Sequence, residues 1–176
     1  MHYGPCSYAP QVEEEVVEER KAIILENQGI YVRDLEKGDV KIIKNQTYML
    51  KAHEVLAEKV LDERIEKLID PSGTRDKSKA VTITIEHNEA IHIYKEKDNS
   101  SRVVLGPNVV MLEYDEHVTV NILSGKTPKE EGVIKTLKIR LGPDFMSDIF
   151  KVETSNSAKL KVAISCNWHF KIDKDD

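Results

Sequence analysis

The sequence predicts a mainly β protein built from tandem small antiparallel β-repeat modules with one short helix. Three observations lead to this fold class. Residues 160–172 alternate between apolar and polar side chains, which is typical of a long strand with one buried face. Residues 29–50 match residues 90–112 in their order of strand, charged turn and strand, which indicates an internal repeat. Residues 51–69 differ from both, because their apolar side chains recur at helical spacing.

The first predicted module covers residues 1–52. A turn-rich segment opens it, and an acid-dense stretch and short apolar runs follow. Its strands are short and are separated by charged or glycine-containing turns. They are predicted at residues 13–20, 22–25, 29–34, 40–44 and 47–50.

Residues 53–79 are predicted to connect the two modules. A helix is expected over residues 62–69, where apolar side chains recur every three or four positions and Asp62 can cap the first turn. Pro71 and the glycine two positions later favour a helix end there. Residues 71–79 are polar, and we interpret them as a flexible linker.

The second predicted module covers residues 80–141 and repeats the first with one inserted residue. Its strands are predicted at residues 80–86, 90–95, 102–105, 109–112, 118–123 and 133–141. Two Gly-Pro pairs, Gly106-Pro107 and Gly142-Pro143, lie between strands. Proline fixes φ and has no N–H group, so each pair is expected to end one strand and orient the next. We therefore predict a structural role for these four residues.

Residues 142–176 are predicted to form a β-hairpin that begins a further domain. Serine and asparagine at residues 155–157 are typical of the turn between its two strands. Trp168 and Phe170 lie on the apolar face of the long alternating strand. Trp168 is expected to anchor the core on that face, because a large aromatic side chain buries much apolar area.

Composition excludes several classes of function. The 176 residues are 40% apolar, 32% charged and 6% aromatic, and the net charge is −5. A negative net charge argues against a general nucleic-acid-binding protein, which would carry a basic face. Two isolated cysteines, Cys6 and Cys166, argue against a disulfide and favour a reducing compartment, with Cys166 buried on its strand. The sequence contains no run of 18 apolar residues, so no membrane-spanning segment is predicted.

The sequence predicts no catalytic, metal-binding or cofactor-binding residue. The histidines lack zinc-like spacing and are expected to face solvent. Asp144, Asp148 and Glu153 could suggest acid–base chemistry, but Asp144 follows a Gly-Pro turn, where aspartate commonly accepts backbone hydrogen bonds. Neither a nucleophile–histidine arrangement nor a glycine-rich phosphate loop can be placed. An enzyme would instead require a pocket with converging polar groups.

Several short motifs of the sequence resemble those of a known family. Leu-Gly-Pro-Asp-Phe at residues 141–145 and Asn-Trp-His-Phe at residues 167–170 resemble the major vault protein family, where its β-repeat wall meets its shoulder domain. The stretch from Val16 to Leu50 also resembles a wall repeat of this family. The resemblance is weakest over residues 53–79. The rhythm of the last two strands is similar to the stomatin-like (SPFH) fold, which the shoulder domain of the family resembles.

The resemblance implies a structural protein and not an enzyme. Members of the family form the shell of the vault ribonucleoprotein particle, so it implies a homo-oligomer in which many copies pack side by side. It also implies vault RNA and vault-associated proteins as partners, contacted through other parts of the protein, with no direct nucleic-acid binding here. It implies a cytoplasmic location with a minor nuclear fraction. The abrupt first and last residues suggest a fragment of a longer chain.

A stomatin-like, membrane-associated scaffold is the alternative from another class. Lys159, Lys161 and Lys171 share one face of the long strand, which is either a solvated face or a contact for an anionic partner. In the vault interpretation, we expect contacts between copies to be charged more than apolar, because small modules have few apolar side chains to spare.

Overall fold

The computed structural model describes residue 9, residues 11–13 and residues 20–171. In this part the fold is mainly β with one short helix, which confirms the predicted fold class. Its elements are β1 Gly29–Asp34, β2 Val40–Lys44, β3 Glu54–Leu56, α1 Glu63–Ile69, β4 Thr82–Ile85, β5 Glu89–Lys95, β6 Ser100–Leu105, β7 Asn108–Met111, β8 Glu116–Val118, β9 Asn121–Gly125, β10 Glu130–Thr136, β11 Lys138–Arg140, β12 Asp144–Glu153 and β13 Lys159–Trp168. The acid-dense strand predicted over residues 13–20 lies mostly outside the described residues.

The hairpin of β1 and β2 has the bounds that the sequence predicts. Gly29 pairs with Lys44 at its open end. At the turn, Asp34 Oδ1 accepts hydrogen bonds from the backbone N–H groups of Glu36, at 2.9 Å, and Lys37, at 3.1 Å. The next glycine adopts a φ of +79°, which an L-residue with a side chain rarely adopts. Turn chemistry and strand pattern therefore agree here.

The predicted internal repeat corresponds to a repeated sheet. We call residues 22–79 the first repeat and residues 80–141 the second repeat. In the first, β1 pairs with β2 on one side and with β3 on the other, and in the second, β5 pairs in the same way with β6 and β8. The pair of Gly29 with Lys44 recurs 61 positions later as Ala90 with Leu105.

Some predicted strands are shorter than expected. Residues 22–25 and 47–50 form a single bridge between Ile23 and Tyr48, whereas their counterparts in the second repeat form the complete β4–β7 pair. The strands predicted at 118–123 and 133–141 were wrong as single elements, since each divides into two. β3 was not predicted, because its residues also fit the helical spacing that continues into α1.

Helix α1 confirms the prediction for residues 62–69. The carboxylate of Asp62 accepts a hydrogen bond of 2.8 Å from the Arg64 backbone N–H and so caps the first turn. Glu63 and Lys67 form an ion pair one turn apart, at 2.5 Å. Ile65 is the buried residue of the helix. At the other end, the Asp70 N–H donates to the carbonyl oxygen of Glu66.

The main core of the second repeat includes side chains from the first repeat. Leu61 and Ile65 pack with the buried residues of β4, β5, β7 and β8. The first repeat has a smaller core of its own around Val32 and Ile43. A third cluster, Tyr31, Ala57 and Ala80, joins the two repeats. Two of the three hydrophobic clusters found in the described residues therefore cross the repeat boundary.

The hairpin of β12 and β13 corrects one expectation. The two strands pair over ten residues, from Asp144 with Trp168 to Glu153 with Lys159. The sequence pattern predicts one buried face, but Ile164 is 50% exposed and Cys166 is also exposed. Within the described residues the sheet consists of these two strands, and most of its apolar side chains lie uncovered. Alternation shows which side chains favour burial, not what covers them.

Candidate functional site at the junction between the two repeats

Tyr31 in β1 is buried at the junction between the repeats and bonds to the second repeat. Its hydroxyl donates to the Leu112 carbonyl oxygen at 2.8 Å and accepts from the Val81 N–H at 3.1 Å. Its ring packs edge-to-face against Tyr114 of the second repeat, with ring centroids 5.6 Å apart. Burial raises the pKa of Tyr31 to about 12, although the hydrogen bond from Val81 opposes the rise. One side chain therefore pairs two backbone groups of the next repeat.

Lys59 forms the second connection across the boundary. Lys59 is buried, with 3% of its surface exposed. Its Nζ donates to the carbonyl oxygens of Glu113 at 2.6 Å, Tyr114 at 2.8 Å and Glu116 at 2.5 Å. Burial lowers the pKa of Lys59 to about 8, while the negative charge of Glu116 raises it. The amine therefore remains mostly protonated at neutral pH. All three of its N–H donors are paired, which compensates for removing the charge from water.

The segment predicted as a flexible linker is instead held by Arg75. The guanidinium donates to Glu66 through Nε at 2.6 Å and through one terminal nitrogen at 3.0 Å, a bidentate arrangement. The same terminal nitrogen donates to the Lys59 carbonyl oxygen at 2.9 Å. Hydrogen bonding to Arg75 lowers the pKa of Glu66. Arg75 therefore connects helix α1 to the backbone that presents Lys59.

A buried glutamate closes the same loop in each repeat. Glu54 is 1% exposed and Glu116 is 6% exposed, and they lie 62 positions apart. The carboxylate of each accepts a hydrogen bond from the backbone N–H three residues earlier, Lys51 at 3.0 Å and Glu113 at 2.9 Å. Each glutamate N–H donates back to the carbonyl oxygen of that same residue. The two loops therefore have the same hydrogen-bonded form.

Each buried glutamate also pairs with a cation two strands away in its sheet, across the central strand β1 or β5. Lys41 of β2 lies 2.6 Å from Glu54, and Arg102 of β6 lies 2.9 Å from Glu116. The Tyr48 hydroxyl adds a bond of 2.6 Å to Glu54. Burial raises the pKa of Glu54, but the hydrogen bonds from Lys41, Tyr48 and the Lys51 backbone outweigh it and lower the pKa to about 2.

Family models match most of the chain. Two descriptions of a major vault protein repeat domain match residues 22–80 and 80–141, and a shoulder domain matches residues 142–176. Known proteins agree with them. Major vault protein alpha of Dictyostelium discoideum is 50% identical over 99% of this chain.

The chain belongs to the major vault protein family.

Relatives from animals support the same membership. The major vault protein of the sea urchin Strongylocentrotus purpuratus is 43% identical over 100% of the chain, and that of Mus musculus is 38% identical over 96%. The chain spans 22% of the length of the Dictyostelium relative, 23% of the sea urchin relative and 22% of the mouse relative. The predicted resemblance to this family is therefore confirmed.

The two predicted Gly-Pro corners lie where the backbone is crowded. A Cβ atom on Gly106 would lie 1.8 Å from the Glu86 carbonyl oxygen, so a side chain does not fit there. Gly142, at the start of the match to the shoulder domain, adopts a φ of +82° and lies against the backbone at Trp168. Each glycine precedes a cis-proline, Pro107 or Pro143. A structural role for these four residues stays a prediction with this geometry behind it.

Trp168 lies at the end of β13, within the shoulder-domain match. It is half-buried, and its ring packs edge-to-face against Phe170 with centroids 5.5 Å apart. Phe170 is 53% exposed. The two predicted aromatic residues therefore contact each other, and the anchor role of Trp168 stays a prediction.

Two of the three acidic residues considered for catalysis, Asp144 and Asp148, have structural partners. Asp144 lies 3.3 Å from Arg140, and Asp148 accepts a hydrogen bond of 2.9 Å from the Lys129 backbone N–H. A separate group of possible metal ligands, Asp34, Glu36 and His53, comes together at the β1–β2 turn. Sequence spacing did not predict that group, since the fold brings His53 to the turn. Asp34 already accepts two backbone hydrogen bonds there.

Sequence reasoning missed the residues of the repeat junction. A single lysine or tyrosine carries no periodic signal, so Lys59 and Tyr31 could not be singled out. The buried glutamates did have a signal: extending the alignment of the repeats beyond Leu50 places Glu54 opposite Glu116. Carboxylates at matching positions after matching strands would have predicted the repeated loop.

Proposed function

We propose that the chain is a wall element of a vault shell, in which many copies of the protein pack side by side. Membership of the major vault protein family supports this proposal. In this role the chain is structural and catalyses no reaction. Its location would be the cytoplasm, with a minor nuclear fraction.

The observation that carries the proposal is the continuous junction between the two repeats. A shell wall must hold its shape over a length greater than one small module, so consecutive modules have to share a core. Leu61 and Ile65 of the first repeat lie within the core of the second. Tyr31 and Lys59 bond across the same boundary. The two repeats therefore suit a rigid, elongated wall element better than two modules that move independently on a flexible linker.

Contacts between copies would use apolar as well as charged surface. The small modules were expected to have few apolar side chains to spare, but the hairpins of β9–β10 and β12–β13 expose several. These include Ile122, Leu123, Ile134, Phe145, Phe150, Leu160 and Ile164. Such side chains add apolar burial to the weak contribution of exposed ion pairs, which is about 0–1 kcal/mol each.

Vault RNA and vault-associated proteins would be contacted through other parts of the assembled protein. The net charge of −5 supports this division, because a nucleic-acid surface is generally basic. For this segment, we therefore propose copies of the same protein as the partners.

A segment exchange tests the proposal. This chain would replace the corresponding segment of the Dictyostelium relative, and the purified protein would be examined by negative-stain electron microscopy. We expect hollow, barrel-shaped particles like those of the unaltered host. The matched control lacks the segment and should give none. If the chimera folded but formed no particles, while the unaltered host protein did form them, a wall function would be contradicted.

A further inference from the structure

The closed loop of each repeat presents backbone carbonyl oxygens to a cation. In the second repeat, the carbonyl oxygens of Glu113, Tyr114 and Glu116 surround the Lys59 ammonium. The corresponding loop of the first repeat presents the carbonyl oxygens of Lys51 and Glu54. Both accept from one terminal nitrogen of Arg20, the Glu54 bond being 2.7 Å long. The same pair of carbonyl positions therefore holds a cation twice.

The two cations come from different sequence contexts. Lys59 follows β3 by three positions, whereas Arg20 precedes β1. They also differ in chemistry, one being a primary ammonium and the other a guanidinium. What they share is that each belongs to the segment before the repeat whose loop it enters. The loop, and not the surrounding sequence, is therefore the constant part of the arrangement.

We infer that this loop is a cation socket, a binding site for one ammonium or guanidinium group delivered by the preceding segment. The buried glutamate makes the socket by closing the loop, which turns the carbonyl oxygens toward one point. This inference goes beyond the proposed wall function, because it assigns a recognition site to each repeat and does not depend on shell assembly.

The chemistry of the second socket favours a cation with several N–H donors. Three carbonyl oxygens match the three donors of an ammonium group. The Lys59 nitrogen also lies 5.8 Å and 5.9 Å from the ring centroids of Tyr31 and Tyr114, within the range of cation–π attraction. The Glu116 carboxylate adds negative charge to the same loop. A cation without N–H donors would leave the buried carbonyl oxygens unpaired.

Chemical rescue tests the socket in the full 176-residue chain. Lys59→Ala removes a propylammonium-sized group, so propylammonium is the probe, and tetramethylammonium at equal concentration is the control cation without N–H donors. We expect Lys59→Ala to lower the thermal midpoint, and propylammonium to restore part of the loss with saturating concentration dependence. Lys59→Met fills the space with an apolar chain of similar length and should not respond. Lys44→Met is the matched lysine control, because Lys44 makes an exposed bond of 3.3 Å to the Met111 carbonyl oxygen.

The inference would be overturned if propylammonium and tetramethylammonium had the same effect on Lys59→Ala. It would also be overturned if neither ion raised the thermal midpoint of this variant. If Lys59→Ala does not fold, the order of two other variants decides. The socket requires Lys59→Arg to retain more of the thermal midpoint than Lys59→Met, since it keeps a cation with N–H donors. Lys59→Met at least as stable as Lys59→Arg would overturn the inference.

Discussion

The two repeats have the same sheet but different insertions. Each pairs a central strand, β1 or β5, with two corresponding strands in the same register, and β5 pairs in addition with β11. After the third strand, the first repeat inserts α1, whose Ile65 lies in the core of the second repeat. The second repeat inserts the hairpin β9–β10, where Ile134 is 45% exposed. The shared sheet therefore defines the module, and the insertion decides how strongly one module depends on the next.

The largest expected difference in stability is between variants of these two insertions. Ile65→Ala should lower the free energy of unfolding by about 2–5 kcal/mol, because it leaves a cavity in the core of the second repeat. Ile134→Ala removes a side chain of the same size from an exposed hairpin and should change stability by about 0.5 kcal/mol or less. Urea denaturation of both variants measures the difference. Equal losses would mean that the two insertions are packed alike.

The corner after the second strand should respond next most strongly. Asn45 and Gly106 occupy this corner in the two repeats, and their N–H groups donate to the carbonyl oxygens of Gln28 and Glu89. Gly106→Asn would place a Cβ atom against the Glu86 carbonyl oxygen and should cost about 1–3 kcal/mol.

The reciprocal exchange is the control for this corner. Asn45 has a φ of 50°, which glycine adopts readily, so Asn45→Gly should cost about 0.5 kcal/mol or less. Thermal unfolding of both variants tests the contrast. A tolerated Gly106→Asn would show that the backbone at the second corner can relax.

The smallest expected difference is between the stability losses of the two buried-glutamate variants. Glu54→Gln and Glu116→Gln should each cost about 1–3 kcal/mol, because each weakens charge-assisted bonds in a closed loop. Each carboxylate accepts three hydrogen bonds, but the Glu54 variant should lose more, since the Tyr48 bond of 2.6 Å to Glu54 is shorter than the second Arg102 bond of 3.2 Å to Glu116. Chemical denaturation at neutral pH measures both losses. A larger loss for Glu116→Gln would contradict the assigned partners.

Glu54 also predicts a pH dependence. Its pKa is lowered from 4.5 to about 2 on folding. The ionised carboxylate therefore contributes fully above about pH 4.5, and its contribution is lost as the pH falls toward 2. Between these values, the free energy of unfolding should fall less steeply in Glu54→Gln than in the unaltered chain. Identical slopes would mean that the carboxylate gains no favourable partners on folding.

Local patterns predicted the elements that local physics determines. The bounds of β1 and β2 follow from alternation on either side of a charged turn with Gly38. Helix α1 follows from apolar spacing and the cap at Asp62. The same spacing hid β3, because Val55 and Leu56 fit a helix as well as a strand. Short apolar stretches are ambiguous until a pairing partner is known.

The junction could not be predicted, because it depends on residues far apart in the sequence. Tyr31 and Leu112 are separated by 81 positions, and Lys59 and Glu116 by 57. Nothing local shows that the Lys59 nitrogen will be buried among carbonyl oxygens. The expected buried face of β13 was wrong for a related reason, since its alternation does not identify a covering layer. Tertiary partners decide both cases.

Native-state hydrogen exchange of the 176-residue chain tests the central claim, that the two repeats form one cooperative unit through their junction. The slowest amides of β1 and β5 report the opening of each repeat. We predict that both exchange with the same free energy in the unaltered chain, and that Lys59→Met makes β1 exchange at a lower free energy than β5. A first repeat that already opens independently in the unaltered chain would contradict the account.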